Sequence, residues 1–299
     1  MIPLLYVSYV LCFSSQSAIT KHGGKMGAEP FSFNLFKAIG ATAAFLLLLL
    51  LFDRQIHIQT LFYGAVYGIF VTVSMYTGLM GLATGPMALT SMIASFSLII
   101  PTAYGIIVLD EKLGAFGMIG LSLLFISMVL FAARRKDKPL SLKWWIFSIT
   151  TLIANGICSV VQKEHQISYP SLYRFQFMAT AMITATVILG ILVTYKKIKA
   201  RTEIEEPPQS INTTDNKIGK GALILIALAL LAGALNGTAN YLTLHLCALV
   251  NASVLYPVLS GATGCATWLM GRLIFKEKLS VPQTVGFVVG VLSLVLLNL

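Results

Sequence analysis

Between Phe31 and Phe52 the chain places a single charged residue, Lys37. Runs of this kind recur along the whole length, at about 3–22, 31–52, 60–82, 87–108, 115–133, 143–162, 172–195, 220–246, 249–273 and 280–299. About 20 apolar residues, rising about 1.5 Å each as a helix, cross about 30 Å of hydrocarbon. A water-soluble fold is a poor match: 57% of residues are hydrophobic and 11% charged, where soluble domains carry about 25% charged. In a bilayer each spanning segment must satisfy its own backbone hydrogen bonds, which leaves helices or a closed barrel. Weak period-two alternation and long runs argue against the barrel. The expected fold is an all-α integral membrane protein with ten transmembrane helices. Pro30 and Pro86 stand near span starts, where a missing N–H costs no helical bond. Gly114 suits a turn.

The tripeptide Glu-Lys-Leu is written twice, as Glu111-Lys112-Leu113 and Glu277-Lys278-Leu279. Sliding the chain by this spacing also lays Leu89 on Leu255, Gly120 on Gly286 and Ser127 on Ser293. Earlier in each half a shorter shift lays Ser17 on Ser159, Lys21 on Lys163, Phe33 on Phe175 and Asn34 on Gln176. Five spans per repeat is an odd number, so the halves enter the membrane from opposite sides. Such two inverted five-helix repeats are the usual frame of a secondary transporter, with a binding site near the midplane. The expected units are 1–135 and 143–299, joined by a linker at 136–142, with a polar, mobile loop at 196–219 inside the second. The two Glu-Lys-Leu turns then lie on opposite faces and act as interface anchors, not as one site.

This layout resembles the drug/metabolite transporter superfamily, and within it the EamA-like ten-helix transporters. The resemblance rests on the first span ending "SSQSAITKHG", the basic residue in "FNLFKAIGA", and the turns "LDEKL" and "FKEKL". It covers nearly the whole chain. It implies export of a small metabolite, amino acid, sugar or drug across the plasma (inner) membrane. One departure is Lys37, where the family typically has Arg; its shifted counterpart is Ala179, with Arg174 a turn earlier.

The net charge is +10, from 21 basic and 11 acidic residues. Most basic residues lie in connections 1–2, 3–4, 5–6, 7–8 and 9–10. They read as an orientation signal rather than a nucleic-acid surface; the bias places both termini outside, whereas the resemblance implies cytoplasmic termini. The first span lacks a basic n-region and is expected to be retained rather than cleaved. Asn212–Thr214 matches a glycosylation sequon, a pattern common by chance. Cys12, Cys158, Cys247 and Cys265 fall in apolar runs and read as packing residues, with no disulfide or metal site.

Inside the spans, Lys37 is the one cation well within an apolar run, a counter-charge for a carboxylate or phosphate unless it snorkels. Every carboxylate lies in a loop or at a span end, which disfavours a cation/proton antiporter built on a buried acid. His245 is the candidate titrating group. Asn236 and Asn240 share a helix face, as do Tyr241 and His245. Ser74 is the shifted counterpart of Asn240. With Gln16 and Asn155 these residues converge from spans 1, 3, 6 and 8 as a candidate cavity lining, although each alone also reads as helix–helix glue. Tyr76, Tyr104 and Trp268 are candidate aromatic walls. Gly64 with Gly68, Gly81 with Gly85, Gly233 with Gly237 and Gly286 with Gly290 permit close helix contact. Pro101 and Pro257 interrupt spans 4 and 9 and suit a gate. No nucleotide, metalloprotease or nucleophile-elbow motif is present, so no enzyme activity and no cofactor are expected. The expected function is secondary transport of a small polar or zwitterionic metabolite such as an amino acid, by a monomer or homodimer in the lipid bilayer. The alternative is a non-transporting membrane scaffold.

Overall fold

The computed structural model describes residues 2–52, 56–84, 90, 93–132, 141–202, 220–273 and 281–297. These form ten α-helices: α1 (Ile2–Lys25), α2 (Pro30–Phe52), α3 (Ile58–Thr84), α4 (Ile99–Ile107), α5 (Ala115–Ala132), α6 (Leu142–Ser168), α7 (Arg174–Thr202), α8 (Lys220–Cys247), α9 (Ala252–Leu273) and α10 (Val281–Leu297). No strand occurs among the described residues. Six helices, α1, α2, α3, α6, α7 and α8, are long and apolar enough to cross a membrane by length and composition. The segments containing α4, α5 and α10 are apolar but shorter. Exposed side chains such as Leu47, Leu50, Ile119, Ile126, Val288 and Val295 give the bundle an apolar outer surface. Water would penalise that surface and a bilayer accepts it.

α6 ends well beyond its hydropathy run. α6 continues to Ser168, so Lys163, Glu164, His165 and Gln166 are helical. Their side chains turn inward: His165 is 0% exposed and Lys163 6%. A polar run at the end of an apolar segment looks like a loop, but here it is covered by α3, α7 and α8. Span 4 is irregular beside Pro101, as a proline inside an apolar run suggests: helical residues 93–95 pass into a 3₁₀ turn before α4. Pro101 occupies the first turn of α4, directly after this 3₁₀ turn at Phe96–Leu98. The missing proline N–H removes one α-type bond there, and the tighter turn fills the gap. Pro257 does lie inside α9.

The main helix pairings are α5 with α10, α3 with α6, α1 with α8, α2 with α8, α3 with α7, α2 with α7, α9 with α10, and α4 with α9. Exchanging helices one to five for six to ten maps each of these pairings onto another of the set or onto itself, except α9 with α10, whose image, α4 with α5, is not a main pairing. Reciprocal hydrogen bonds cross between α5 and α10: Ser127 Oγ donates to the Gly286 carbonyl at 2.7 Å, and Ser293 Oγ to the Gly120 carbonyl at 2.9 Å. Glycine permits the closest approaches. A Cβ at Gly68 would lie 2.5 Å from the Ala181 carbonyl of α7, and one at Gly233 would overlap the Lys37 carbonyl of α2.

Two apolar clusters fill the interior. One joins α2, α3, α7 and α8 through Ala41, Phe45, Tyr67, Phe177, Ala181 and Leu244. The other joins the 3₁₀ turn before α4 to α5, α8, α9 and α10 through Leu98, Leu124, Leu246, Leu255, Leu259 and Leu297. The second Glu-Lys-Leu copy, Pro86, Gly85, Asn212–Thr214 and the Trp268 side chain lie outside the described residues.

Candidate functional site

The eight sequence-selected residues come together as four pairs. Lys37 Nζ of α2 donates 2.6 Å to Gln16 Oε1 of α1, and both side chains are buried. Ser74 Oγ of α3 donates 2.6 Å to Asn155 Oδ1 of α6. Asn240 Nδ2 donates 2.9 Å to the Asn236 carbonyl one turn earlier. The Tyr241 and His245 rings face each other at 6.5 Å between centroids. Among the described residues no hydrogen bond joins one of these pairs directly to another.

Residues that the hydropathy pattern hid tie the middle of the bundle together. Tyr67 of α3 donates to Asn240 Oδ1 at 3.0 Å. Gln162 of α6 donates to the Tyr67 hydroxyl at 3.4 Å, and its nitrogen also approaches the Asn240 carbonyl at 3.5 Å. Spans 3, 6 and 8 therefore meet through polar groups, with Tyr67 and Gln162 as the bridging side chains. The Tyr256 hydroxyl of α9 donates to the Ser159 carbonyl and lies 3.2 Å from Cys247 Sγ. All four cysteines are free. Closer to α6's start, Thr77 and Thr151 hydroxyls share a 2.8 Å bond. Trp144 Nε1 donates 2.8 Å to Thr90.

At the face where α4, α6 and α8 end and α3, α7 and α9 begin, Glu111 organises the contacts. Its two carboxylate oxygens accept the Ala252 and Ser253 N–H groups at 2.9 and 2.8 Å, capping α9. Lys163 Nζ stands 3.6 Å from the same carboxylate. It also donates to the Val250 and Cys247 carbonyls at 2.7 and 3.2 Å, at the end of α8. The first Glu-Lys-Leu turn is thus more than an interface anchor. It ties α4 to α6, α8 and α9. Burial works against ionisation of Glu111, but the Ser253 and Ala252 N–H groups and the Lys163 charge outweigh it and lower its pKa.

The same face holds a buried polar cluster. Arg174, 8% exposed at the first position of α7, donates from Nε to Gln166 Oε1 at 3.1 Å and from Nη1 to His245 Nδ1. A guanidinium has only N–H donors, so His245 Nδ1 must accept; the ring is neutral and carries its proton on Nε2. Arg174 Nη2 is buried and meets no acceptor. Gln166 Nε2 lies 2.9 Å from His165 Nδ1, and His165 Nε2 lies 3.2 Å from Thr60 Oγ1. Gln176 exchanges hydrogen bonds with the backbone of His57 at 3.1 and 2.9 Å. The His57 ring stacks on Tyr173 at 4.8 Å and meets the Tyr169 edge at 4.6 Å. The expectation of one buried cation, Lys37, is therefore corrected: Lys163 and Arg174 are buried too, and His165 joins His245 inside a helix. The signal was present in "QKEHQ", where Gln162 and Gln166 stand four apart on one helix face.

On the opposite face, exposed Glu29 pairs with Lys196 at 3.0 Å, and Lys196 lies over the Phe31 ring at 4.3 Å. Burial opposes ionisation of Glu29, but hydrogen bonds from Ser32 and Lys196 outweigh it and lower its pKa to about 2. Tyr76 meets Phe31 at 5.9 Å, while Tyr104 donates to Glu164. Among the described residues no group of three or more His, Cys, Asp or Glu is placed to hold a metal.

These features belong to a helical, multi-pass membrane protein with polar groups buried between its halves. Residues 1–133 match the model of the EamA-like transporter family, in keeping with the drug/metabolite transporter superfamily. The match likens this part of the chain to membrane transporters of the drug/metabolite type. No curated protein matches the sequence. A solved crystal structure of a protein is similar over 98% of this chain and 94% of its own, with a TM-score of 0.72 and 14% identity. At that identity the likeness shows the fold alone.

Proposed function

We propose that the chain is a secondary carrier that exports a small polar or zwitterionic metabolite, such as an amino acid, across the plasma membrane by alternating access. The carrying observation is the Lys37–Gln16 pair. Lys37 is 9% exposed and its ammonium meets a neutral amide oxygen. No carboxylate lies within ion-pair distance of it among the described residues. Lys37 lies in the second turn of α2 and is buried there; a buried cation without a counter-charge is costly, and an amide offsets only part of that cost. A substrate carboxylate would supply the missing charge. Asn240, Tyr67, Gln162, Ser74 and Asn155 would then supply neutral hydrogen bonds to the remaining polar groups.

Residues 1–135 and 143–299 act in this reading as two inverted five-helix repeats around that site, with 136–142 as linker. The near-symmetric helix pairing, with α9–α10 as the exception, and the reciprocal Ser127–Gly286 and Ser293–Gly120 bonds support it. Pro257 supplies a flexible point in α9. The chemistry required is binding and release, with no covalent step, so the chain is not assigned an enzyme activity. The test is solute flux in proteoliposomes across a metabolite panel. Carboxylate-bearing solutes should move, and Lys37→Leu and Asn240→Leu should each lower flux at least about tenfold. Equal flux in wild type and both variants would overturn the assignment.

A further inference from the structure

Each half buries a cation on its second helix against a glutamine on its first helix. In the first half Lys37 of α2 donates to Gln16 of α1. In the second half Arg174 of α7 donates to Gln166 of α6. The glutamine oxygen is the acceptor in both, and neither cation has a carboxylate within ion-pair distance among the described residues. The two pairs lie toward opposite ends of the bundle: Lys37 is in the second turn from the Glu29 face, and Arg174 begins α7 at the Glu111 face. Arg174 differs in that a whole donor nitrogen, Nη2, is buried without an acceptor. Leaving a charged donor unsatisfied is expensive, so the site lacks one oxygen.

We propose that Arg174, with Gln166 and His245, is a second carboxylate-binding site, at the Glu111 face, that takes the substrate carboxylate in the state opposite to the one served by Lys37. Nη2 offers two N–H groups at once. If His245 swings aside, Nη1 joins it, and the pair presents the planar fork that matches a carboxylate. His245 is thereby the stand-in ligand of the empty state. The start of α7 adds a favourable field for an anion. This inference rests on the carrier reading for its place in a cycle, but the binding site itself is tested without flux.

Full-length protein in nanodiscs of neutral phosphatidylcholine is titrated with sodium acetate against sodium chloride at equal ionic strength. Unfolding is followed by tryptophan fluorescence, and all proteins carry Lys37→Gln so that the first site is silent. Acetate should raise the melting temperature, and adding Arg174→Gln or Arg174→Lys should raise the acetate needed at least about tenfold. Arg174→Lys keeps a charge at this position, so one folded variant remains to be read if the other is lost. An unchanged acetate response in either folded variant overturns the site. So does an acetate response no larger than that to chloride. A response that requires phosphatidylglycerol in the disc also overturns it, because the occupant is then a lipid phosphate. If wild-type flux is absent while the acetate response depends on Arg174, the carrier reading falls and the site stands. If Lys37→Leu abolishes flux while Arg174 variants bind acetate normally, the site falls and the carrier reading stands.

Discussion

Replacing Glu111 by Gln probes the contact that ties four helices at one face. The carboxylate accepts two backbone N–H groups at 2.9 and 2.8 Å and lies 3.6 Å from Lys163 Nζ. A glutamine keeps one acceptor oxygen and turns an NH₂ toward the second N–H, leaving that donor unpaired. Hydrogen bonds to charged groups are worth about 1.5–3 kcal/mol. Lys163 keeps its two carbonyl acceptors, so the loss of its counter-charge adds less than the full cost of breaking a buried pair. The expected destabilisation is about 2–4 kcal/mol, or roughly 4–10 °C in melting temperature for a chain of this size. The sign of the pH effect follows from the lowered pKa of Glu111. Its contribution is complete above the unfolded carboxyl value of about 4.3 and is lost as pH falls through the lower folded value. Thermal unfolding in detergent should show the wild-type advantage at pH 7, and the gap to Glu111→Gln should close only below the ordinary carboxyl range. A Glu111→Gln protein melting within about 1 °C of wild type at pH 7 would refute the reasoning.

Gly233→Ala places a methyl on the Lys37 carbonyl, so α2 and α8 must separate, at about 1–3 kcal/mol. Gly190→Ala in α7, where a Cβ meets nothing within 4 Å, should be neutral or stabilising by about 0.5–1 kcal/mol; both are read as melting temperatures in detergent. Tyr67→Phe removes the donor to Asn240 Oδ1 and should cost about 1–3 kcal/mol through the unpaired amide oxygen. Lys196→Ala breaks an ion pair whose side chains are 60% and 47% exposed. Its effect should stay below about 1 kcal/mol and shrink further in high salt.

The existence of ten helices was legible because apolar run length is nearly a direct readout of a span. Their ends were less legible. Hydropathy treats "QKEHQ" as the start of a loop, yet α6 runs through it, because neighbouring helices supply partners for every one of those side chains except where Arg174 Nη2 stands open. The candidate site was legible as a set of polar positions. Its pairing was not: Gln16 with Lys37 and Ser74 with Asn155 depend on helix rotation and depth, which a one-dimensional pattern does not contain. Tyr67 was hidden for a related reason. Its ring reads as packing, and only the placement of α8 beside α3 and α6 reveals that its hydroxyl bridges Gln162 and Asn240.

The distribution of these contacts constrains any motion between the halves. Ser127 and Ser293 bond symmetrically across α5 and α10, so a rotation about that pair alters both bonds alike and need break neither. The Glu111 face is different. There Glu111 caps α9, His57 is held by Gln176, and Thr60 meets His165, each contact crossing from the first half to the second. Opening this face must break them, and each broken charge-assisted bond must be replaced by water or by substrate. The opposite face is crossed by the exposed Glu29–Lys196 pair and by Trp144 and Thr151, which meet Thr90 and Thr77 through neutral bonds. Exposed pairs and single neutral hydrogen bonds are cheaper to exchange for water than a buried carboxylate cap. The Glu111 face is therefore the more strongly held of the two, and under the proposed carrier mechanism Glu111→Gln should shift the balance toward its opening as well as lower stability. Accessibility of a cysteine introduced at Ser253, probed with a membrane-impermeant thiol reagent in a cysteine-free background, should rise in Glu111→Gln. An equal labelling rate with and without Glu111 would show that the cap holds the fold and not the gate.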